Sequence, residues 1–210
     1  MIFDLDGVLV NSFAVMNEAF AAAYREVVGA GPAPFEEYRR HQGRYFPDIM
    51  RIMGLPLEME GPFVRESYRL AHRVPVFDGV VELLLTLRAR GFGLAVATGK
   101  SGERARSLLE TLGLLPFFAH VIGSDEVARP KPAPDIVERA LTLLGLPAGQ
   151  AIMVGDAPTD LASAHGAGVA SAAALWAVSD DEDALLAGRP SAVLRRPSDL
   201  LALCPSVPRG

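Results

Sequence analysis

Several residue types and segments that define whole classes of protein are scarce or missing in this sequence. It has a single cysteine, Cys204, which excludes a disulfide framework and a cysteine metal cluster. It contains no apolar run long enough to cross a bilayer, and its first residues resemble a strand rather than a signal peptide. These absences predict a cytoplasmic protein that has no membrane partner.

Basic residues are not in excess either, and lysine is rare among them. The formal net charge is −5 at pH 7, which excludes a broad basic surface for nucleic acid. Of the 20 basic residues only Lys100 and Lys131 are lysines, and each follows a strand-like or turn-like segment. A compact ammonium suits a target as small as a phosphate group, whereas the alternative is two ordinary surface lysines. We favour a function for Lys131 and leave both alternatives open for Lys100.

The pattern of apolar residues divides the chain of 210 residues into two parts. Between residues 13 and 76 the apolar residues recur at three- and four-residue spacing without a strand-like run, which predicts a small helical bundle. Residues 1–12 and 77–210 instead alternate short apolar strands with helices, as parallel sheets with crossover helices do. The predicted fold is therefore α/β, a doubly wound parallel sheet with a small helical domain inserted after its first strand.

Two aspartates, Asp4 and Asp6, follow the first predicted strand and come directly before Gly7. Ligands bind at this end of the strands in an open parallel sheet, and a spacing of two directs both carboxylates to one side. A solvated turn is the simplest interpretation. A calcium loop of the EF-hand type is excluded because Val8 to Val10 offer no oxygen side chains. The third interpretation is a nucleophilic aspartate with a neighbouring acid and a divalent metal ion.

A second polar loop, Thr98-Gly99-Lys100-Ser101, follows the strand-like run that ends at Ala97. Gly-Lys-Ser is the ending of a nucleotide-binding P-loop, but the preceding glycine lies one residue too far upstream for that motif. A threonine hydroxyl and the backbone N–H groups at the start of a helix can instead bind an anion. The alternative is a plain helix cap, for which Ser101 alone would suffice.

Two further loops carry a rigidly held lysine and a second pair of acids. Lys131 stands between Pro130 and Pro132, which restrict the backbone on both sides. Asp156 follows another apolar strand, and Asp160 lies one helical turn further on. Helix capping explains one such acid, but it does not explain why two strands deliver carboxylates to the same edge. Mg²⁺ does explain it, because this ion takes one or two carboxylates together with waters and a substrate phosphate.

Taken together, these loops resemble the four motifs of the haloacid dehalogenase superfamily. The resemblance rests on the order and spacing of Asp4-x-Asp6-Gly7-Val8, Thr98, Lys131 before a proline, and Gly155-Asp156-x-x-x-Asp160. It covers nearly the whole chain and implies a Rossmann-like core, residues 1–12 and 77–210, with a helical cap at residues 13–76. The chain is similar to phosphoglycolate-phosphatase-type enzymes. Its stretch Gly43–Met50 resembles phosphatases associated with 3-amino-5-hydroxybenzoate synthesis in ansamycin-type pathways.

The resemblance also implies a chemical role for the acids. Asp4 would attack phosphorus to form an aspartyl-phosphate, which water then cleaves. Asp6 would act first as general acid and then as general base. The implied Mg²⁺ ligands are the Asp4 carboxylate, the Asp6 backbone carbonyl and the Asp156 carboxylate, with Asp160 supporting them or ligating directly.

The remaining implied contacts are those to phosphate and substrate. The groups that would hold the phosphoryl oxygens come from Thr98, Gly99 and Lys131. The basic, aromatic stretch between the predicted cap helices includes His41 and Arg44, and we expect these two residues to contact the substrate. If Lys100 has a function, a contact with the substrate is the one we expect. The alternative for such a stretch is a solvated helix face. Asn11 stands where these phosphatases usually carry an aspartate, and we expect a modest effect on the hinge of the cap.

The expected function is therefore Mg²⁺-dependent hydrolysis of a small soluble phosphomonoester, such as an amino-sugar or aminoshikimate-type phosphate of 3-amino-5-hydroxybenzoate synthesis. Phosphoglycolate hydrolysis and sugar-phosphate mutation are alternatives within the same superfamily. An alternative from another class is a phospho-accepting signalling module, although such modules lack a helical insertion after the first strand. A catalytically silent binding protein is a further alternative, which the presence of every expected group weakens.

Overall fold

A six-stranded parallel sheet lies at the centre of the computed structural model, which describes residues 1–41, 43–177 and 182–204. The strands are β1 Ile2–Phe3, β2 Ala95–Ala97, β3 His120–Ile122, β4 Ile152–Gly155, β5 Ala170–Ala174 and β6 Ala192–Leu194. They lie in the order β3-β2-β1-β4-β5-β6, and every neighbouring pair is parallel. This arrangement confirms the predicted doubly wound α/β sheet, whose strand order reverses between β1 and β4.

Helices cover both faces of this sheet and also form a separate unit. Those in the described residues are α1 Phe13–Val27, α2 Phe35–Arg39, α3 Phe46–Met53, α4 Glu60–Leu70, α5 Val80–Ala89, α6 Gly102–Thr111, α7 Asp135–Leu144, α8 Pro158–Gly166 and α9 Glu182–Ala187. The first four lie between β1 and β2 in the chain, without an intervening strand in the described residues. The others alternate with the strands of the sheet.

β1 is only two residues long, yet it holds the centre of the molecule. Its two side chains are fully buried on opposite faces: Phe3 packs in one apolar cluster with residues of α5 and α6, and Ile2 in another with residues of α7 and α8. In the register of the sheet, Ile2 lies between Ala95 of β2 and Met153 of β4. The loops that leave the carboxyl ends of these three strands therefore emerge side by side.

The four helices after β1 form a helical unit, residues 13–73, with a core of its own. Val15, Leu70 and Ala71 pack in the cluster that contains Phe3 of the sheet. The other buried apolar cluster of the unit packs on itself and consists of Met16, Ala19, Phe20, Ala23, Phe35, Tyr38, Phe46, Ile49, Met50, Met59 and Phe63. Tyr38 lies among the aromatic rings, 4.7 Å from Phe20 and 6.0 Å from Phe63 between ring centroids. Apolar spacing along the helices thus produces a second core that is distinct from that of the sheet unit, the rest of the described chain.

Two neighbouring backbone segments connect the helical unit to the sheet unit. The N–H of Asn11 donates a hydrogen bond to the carbonyl of Pro75 at 2.9 Å. The N–H of Phe77 donates one to the carbonyl of Leu9 at 3.1 Å. The chain therefore leaves and re-enters the sheet unit next to the boundaries predicted for the helical domain. The predicted effect of the Asn11 side chain on this connection stays a prediction.

Several elements differ from their predicted bounds, because short strands carry weak local signals. The strand predicted from Phe92 begins only at Ala95. The sequence predicts no element where α9 forms, and the predicted C-terminal helix is a 3₁₀ helix, Pro197–Leu203. The loose tail predicted after Leu203 lies outside the described residues beyond 204. No helix in the described part of the chain is both long and apolar enough to span a membrane.

Candidate active site

The site residues predicted from the four motifs meet at one edge of the sheet. Asp4 follows β1, Thr98 follows β2 and Asp156 follows β4. Because β2 and β4 are the two neighbours of β1 in the sheet, the three residues lie side by side. Lys131 reaches the same place from the loop that precedes α7, where its ammonium bonds to Asp4. This edge lies at the reversal of strand order, which is where open parallel sheets bind their ligands.

Lys131 is held between two carboxylates. Its Nζ lies 2.8 Å from Oδ1 of Asp4 and 2.6 Å from Oδ1 of Asp160, and all three side chains are buried. Burial alone would lower the pKa of Lys131, but the two carboxylates outweigh it and the pKa is raised. The second oxygen of Asp160 accepts a hydrogen bond from the backbone N–H of Ala157 at 3.1 Å. A permanent ammonium therefore faces Asp4 from a fixed position.

Asp4, Asp156 and Asp160 form an acidic cluster in which one carboxylate oxygen of each lies within 4.8 Å of the others. Burial, which Lys131 partly offsets, raises the pKa of Asp4 to about 7, and the charges of neighbouring aspartates add to the shift. Burial and the charges of Asp4 and Asp160 raise the pKa of Asp156 well above its ordinary value. A divalent cation would relieve this repulsion, and Mg²⁺ prefers such oxygen donors, so the cluster fits the predicted ion.

Two glycines allow the acids to approach one another this closely. Gly7 has a φ of +80°, and a Cβ there would lie only 1.8 Å from Oδ2 of Asp156. A Cβ on Gly155 would lie 2.2 Å from the Cβ of Asp160. A side chain at either position would displace an acid of the cluster, which explains why both motifs need glycine.

Asp6 has different partners from the acidic cluster. Its carboxylate accepts a hydrogen bond from the Ser12 hydroxyl and forms an ion pair with Nζ of Lys100. Burial raises the pKa of Asp6, but the ammonium and the two hydrogen bonds outweigh it, so the pKa lies below its ordinary value. Its predicted contact with a metal ion therefore concerns its backbone carbonyl and stays a prediction. Lys100, for which a substrate contact is predicted, is paired with this acid.

Thr98 and Gly99 stand directly before α6. The buried Oγ1 of Thr98 accepts a hydrogen bond from the backbone N–H of Lys100 at 3.2 Å. A Cβ on Gly99 would lie 2.7 Å from the carbonyl oxygen of Gly43, so the helical unit touches the sheet unit here. Ser101 occupies the N-cap of α6, but its side chain makes no capping hydrogen bond. Ser101 therefore has the predicted cap position without the capping bond, and the loop remains a candidate anion site.

A cavity lies between the two units, with about 50 Å³ of room for the centres of water-sized molecules. Its floor is the lining from the sheet unit: Asp4, Asp6, Thr98, Gly99, Lys100, Arg104, Asp156 and Ala157. Its roof is the lining from the helical unit: Phe13, Met16, Tyr38, Gly43, Arg44, Phe46, Ile49 and Phe63. The floor is mostly charged and the roof mostly apolar, and a space of this size suits a small molecule.

The two substrate contacts predicted from the helical unit have different positions. Arg44 belongs to the roof, whereas His41 is not among the described residues that line the cavity. Between them Gly43 adopts a φ of +83°, and a Cβ there would lie 2.5 Å from Oγ1 of Thr159 in the sheet unit. The loop that carries Arg44 therefore rests directly on the sheet unit.

Sequence reasoning missed Arg104 and the aromatic roof. Arg104 lies in the first turn of α6, and its side chain belongs to the floor. Its place in a helix that starts at the ligand-binding edge was the one available signal. Phe46 and Phe63 stack at 4.3 Å between ring centroids and line the roof. Their helical spacing resembles that of ordinary core residues, so no local signal marks them as parts of a site.

Comparison with known proteins places the chain in a family. Residues 1–174 match the family described as haloacid dehalogenase-like hydrolase. A probable phosphatase, IndB, from Dickeya dadantii is 35% identical over 92% of this chain and 88% of its own length. A phosphoglycolate phosphatase from Rhodospirillum rubrum is 35% identical over 80% and 76%. A haloacid dehalogenase-like hydrolase from Streptococcus pneumoniae has the same fold, with a TM-score of 0.83 over 96% of both chains at 24% identity. The chain therefore belongs to the haloacid dehalogenase-like hydrolases, which confirms both the family that its four motifs predict and the prediction that it is an enzyme.

Proposed function

We propose that this enzyme hydrolyses a small phosphomonoester in two steps, with Asp4 as the nucleophile. The observation that carries the proposal is the position of Asp4, whose buried carboxylate lines the small cavity between the two units and bonds to the ammonium of Lys131. A phosphoryl group there would meet an ammonium, a threonine hydroxyl and the N–H groups at the start of α6. The relatives named as phosphatases support the same class of reaction.

In the first step, an oxygen of Asp4 bonds to phosphorus while the bond to the leaving oxygen breaks, and Asp6 donates a proton to that oxygen. In the second step, a water molecule attacks phosphorus, Asp6 accepts its proton, and inorganic phosphate leaves as the Asp4 carboxylate is restored. Without substrate the pKa of Asp6 is low, so the base form is present. The negative charge of a phosphoryl group beside it raises that pKa, which favours the acid form needed first.

The cofactor of the proposed reaction is Mg²⁺, for which the acidic cluster supplies suitable donors. The proposed ligands are the carboxylates of Asp4 and Asp156 and the backbone carbonyl of Asp6, with Asp160 beside them. When bound, the ion supplies positive charge that stabilises the charge on the phosphoryl oxygens. Lys131 holds Asp4 in position for attack, and it binds the phosphoryl oxygens together with Thr98 and the N–H of Gly99.

The helical unit acts in this proposal as a cap that selects the substrate. It supplies the whole roof and contacts the floor where Gly43 meets Gly99, so a substrate beneath it is shielded from bulk water. The same roof covers Asp4, which argues against a signalling module, because a partner protein would need access to that residue. The apolar roof favours a small leaving group with an apolar or ring face. An aminoshikimate-type phosphate of 3-amino-5-hydroxybenzoate synthesis, an amino-sugar phosphate and phosphoglycolate are the candidates we would test.

The experiment is phosphate release from a panel of these esters, with hexose phosphates and p-nitrophenyl phosphate added, in Mg²⁺ and in EDTA. We expect Mg²⁺-dependent release from at least one ester. Asp4→Asn should lower kcat at least about 1,000-fold, because the amide cannot act as the nucleophile. Asp48→Asn is the matched control, since that carboxylate pairs with Arg51 in the helical unit and lies outside the cavity lining. It should leave kcat unchanged.

Three outcomes would overturn the proposal. Turnover that survives Asp4→Asn would remove the nucleophile. An isomerised sugar phosphate without net phosphate release would identify a mutase. A long-lived phosphorylated Asp4 without turnover would identify a phospho-accepting module.

A further inference from the structure

Arg104 carries a buried positive charge that the proposed reaction does not use. The residue is only 8% exposed, and its Nε has no hydrogen-bond partner in the described part of the chain. One N–H donates to the hydroxyl of Ser67 at 3.1 Å, and the guanidinium lies 4.9 Å from the ring centroid of Phe63. Among the described residues no carboxylate forms an ion pair with it.

The other buried cations near the cavity differ from Arg104 in this respect. Lys131 bonds to two carboxylates and Lys100 to one, so their charges are compensated within the protein. Burial lowers the pKa of Arg104, which means that its surroundings disfavour its charge. A guanidinium offers five N–H donors, and here one hydroxyl and one ring face are its described partners. A buried charge so poorly compensated is costly, unless a ligand supplies the missing anion.

The location of Arg104 indicates which ligand that is. Its side chain lines the same cavity as Asp4 and Thr98, where the phosphoryl group binds in the proposed function. It also lines a second, adjoining cavity with about 30 Å³ of room, which shares Lys100 and Met16 with the first. A guanidinium binds carboxylate or phosphate oxygens in a two-pronged geometry. Both cavities are small, so any anion bound here lies within a few bonds of the phosphoryl group.

We propose that Arg104 binds a second anionic group, a carboxylate or a second phosphate, on the leaving group of the substrate. The inference rests on the proposed function for the position of the phosphoryl group. It narrows the substrate to a short phosphomonoester that carries an additional negative charge. In the absence of substrate, the contacts with Ser67 and Phe63 hold the guanidinium in the cavity.

A purely structural role is the competing explanation. Arg104 joins α6 of the sheet unit to α4 of the helical unit through those two contacts, so its removal could simply loosen the roof. Loosening would impair every substrate alike, whereas loss of an anion contact impairs only substrates that carry the anion. The test therefore compares esters that differ in this group alone.

The experiment measures kcat/KM on three two-carbon esters: 2-phosphoglycolate, 2-hydroxyethyl phosphate and ethane-1,2-diyl bisphosphate. We expect the native enzyme to prefer a doubly anionic ester over 2-hydroxyethyl phosphate. Arg104→Met should lower kcat/KM on that preferred ester about 10- to 100-fold, which is the usual effect of losing a charge-assisted hydrogen bond. On 2-hydroxyethyl phosphate, whose leaving group carries no charge, kcat/KM should change less than about threefold. Arg104→Lys should restore part of the preference. Arg106→Met is the matched control, because Arg106 lies on the same helix but pairs with Glu126 at the surface.

The outcomes separate the explanations. If only 2-phosphoglycolate loses rate, the bound group is a carboxylate; if only the bisphosphate loses rate, it is a phosphate. An equal loss of kcat/KM on all three esters, no loss on any of them, or a preference of the native enzyme for 2-hydroxyethyl phosphate would each overturn the proposal.

A binding measurement keeps this inference distinct from the proposed reaction. In the Asp4→Asn background, calorimetry should show tighter binding of the preferred anionic ester than of 2-hydroxyethyl phosphate, and Arg104→Met should remove the difference. If the native enzyme hydrolyses no ester of this set or of the panel above but this difference is found, only the proposed hydrolysis fails. If hydrolysis proceeds and the difference is absent, only the role of Arg104 fails.

Discussion

The floor and the roof of the cavity are built from opposite kinds of residue. The floor holds carboxylates such as Asp4 and Asp156, whose raised pKa values show that their charged forms are destabilised where they stand. The roof is held by close aromatic contacts such as the stack of Phe46 on Phe63. Chemistry and packing are thus assigned to different units. Substitutions in the floor should mainly alter activity and metal response, whereas substitutions in the roof should mainly alter stability and substrate access.

The largest loss of stability is expected from Phe63→Ala in the roof. Phe63 is 1% exposed and stacks on Phe46 at 4.3 Å between centroids. Its truncation leaves a cavity in the core of the helical unit and should lower the free energy of unfolding by about 3–5 kcal/mol. Urea denaturation measures this loss. Phe63→Leu retains apolar volume and should cost about 1–2 kcal/mol, so equal costs for the two variants would contradict the packing argument.

In the floor, Asp156→Asn should separate activity from stability. We expect kcat to fall about 100-fold or more, because the variant loses the charge of one ligand of the proposed Mg²⁺ site. The metal-free protein should instead become more stable by about 1 kcal/mol, because repulsion from Asp4 and Asp160 is relieved. Urea unfolding in EDTA and in Mg²⁺ measures both effects, since the ion should stabilise the native protein far more than the variant. A metal-free variant less stable than the native protein would show that the floor is not under this electrostatic strain.

The contact between roof and floor can be tested at Gly43. A Cβ there would approach Oγ1 of Thr159 to 2.5 Å, so Gly43→Ala should hold the roof away from the floor. We expect kcat/KM to fall about tenfold, which corresponds to about 1.4 kcal/mol. Gly54→Ala is the matched control, because Gly54 also has a positive φ, of +66°, but has open space around it. Similar losses of activity in both variants would point to backbone strain instead of a steric effect on closure.

The smallest effect is expected on the outer side of the helical unit. Arg65 forms an ion pair with Glu26 that joins α4 to α1, and both side chains are more than half exposed. Exposed pairs of this kind contribute about 0–1 kcal/mol, so Arg65→Ala should change the unfolding free energy by less than about 1 kcal/mol and leave kcat/KM unchanged. Added salt should reduce the difference further. A larger loss would mean that charges on the outside, and not only the aromatic core, hold the roof together.

The acids of the floor and Thr98 could be predicted because each carries a local signal, whereas Arg104 could not. Asp4 and Asp156 directly follow short apolar strands. Gly7 marks the sharp turn after Asp6, and the prolines on both sides of Lys131 restrict the backbone there. In a parallel sheet such strand ends meet at one edge, so the convergence of these residues follows from chain order alone. The hydrogen-bond and ion-pair partners of an individual side chain do not follow from chain order. Lys100 pairs with Asp6, which is 94 residues away in the chain, and no spacing rule predicts that contact.

The sequence by itself determined the class of fold, the helical insertion, the acids and threonine hydroxyl of the floor, and Lys131 beside them, because strand ends, glycines and prolines act locally. Only the tertiary structure decided which side chains of the insertion form the roof. It alone also left Arg104 buried without a described carboxylate partner. The physical reason is that apolar spacing records only that a helix face is covered, whereas docking one unit on the other decides what covers it and which charges are enclosed.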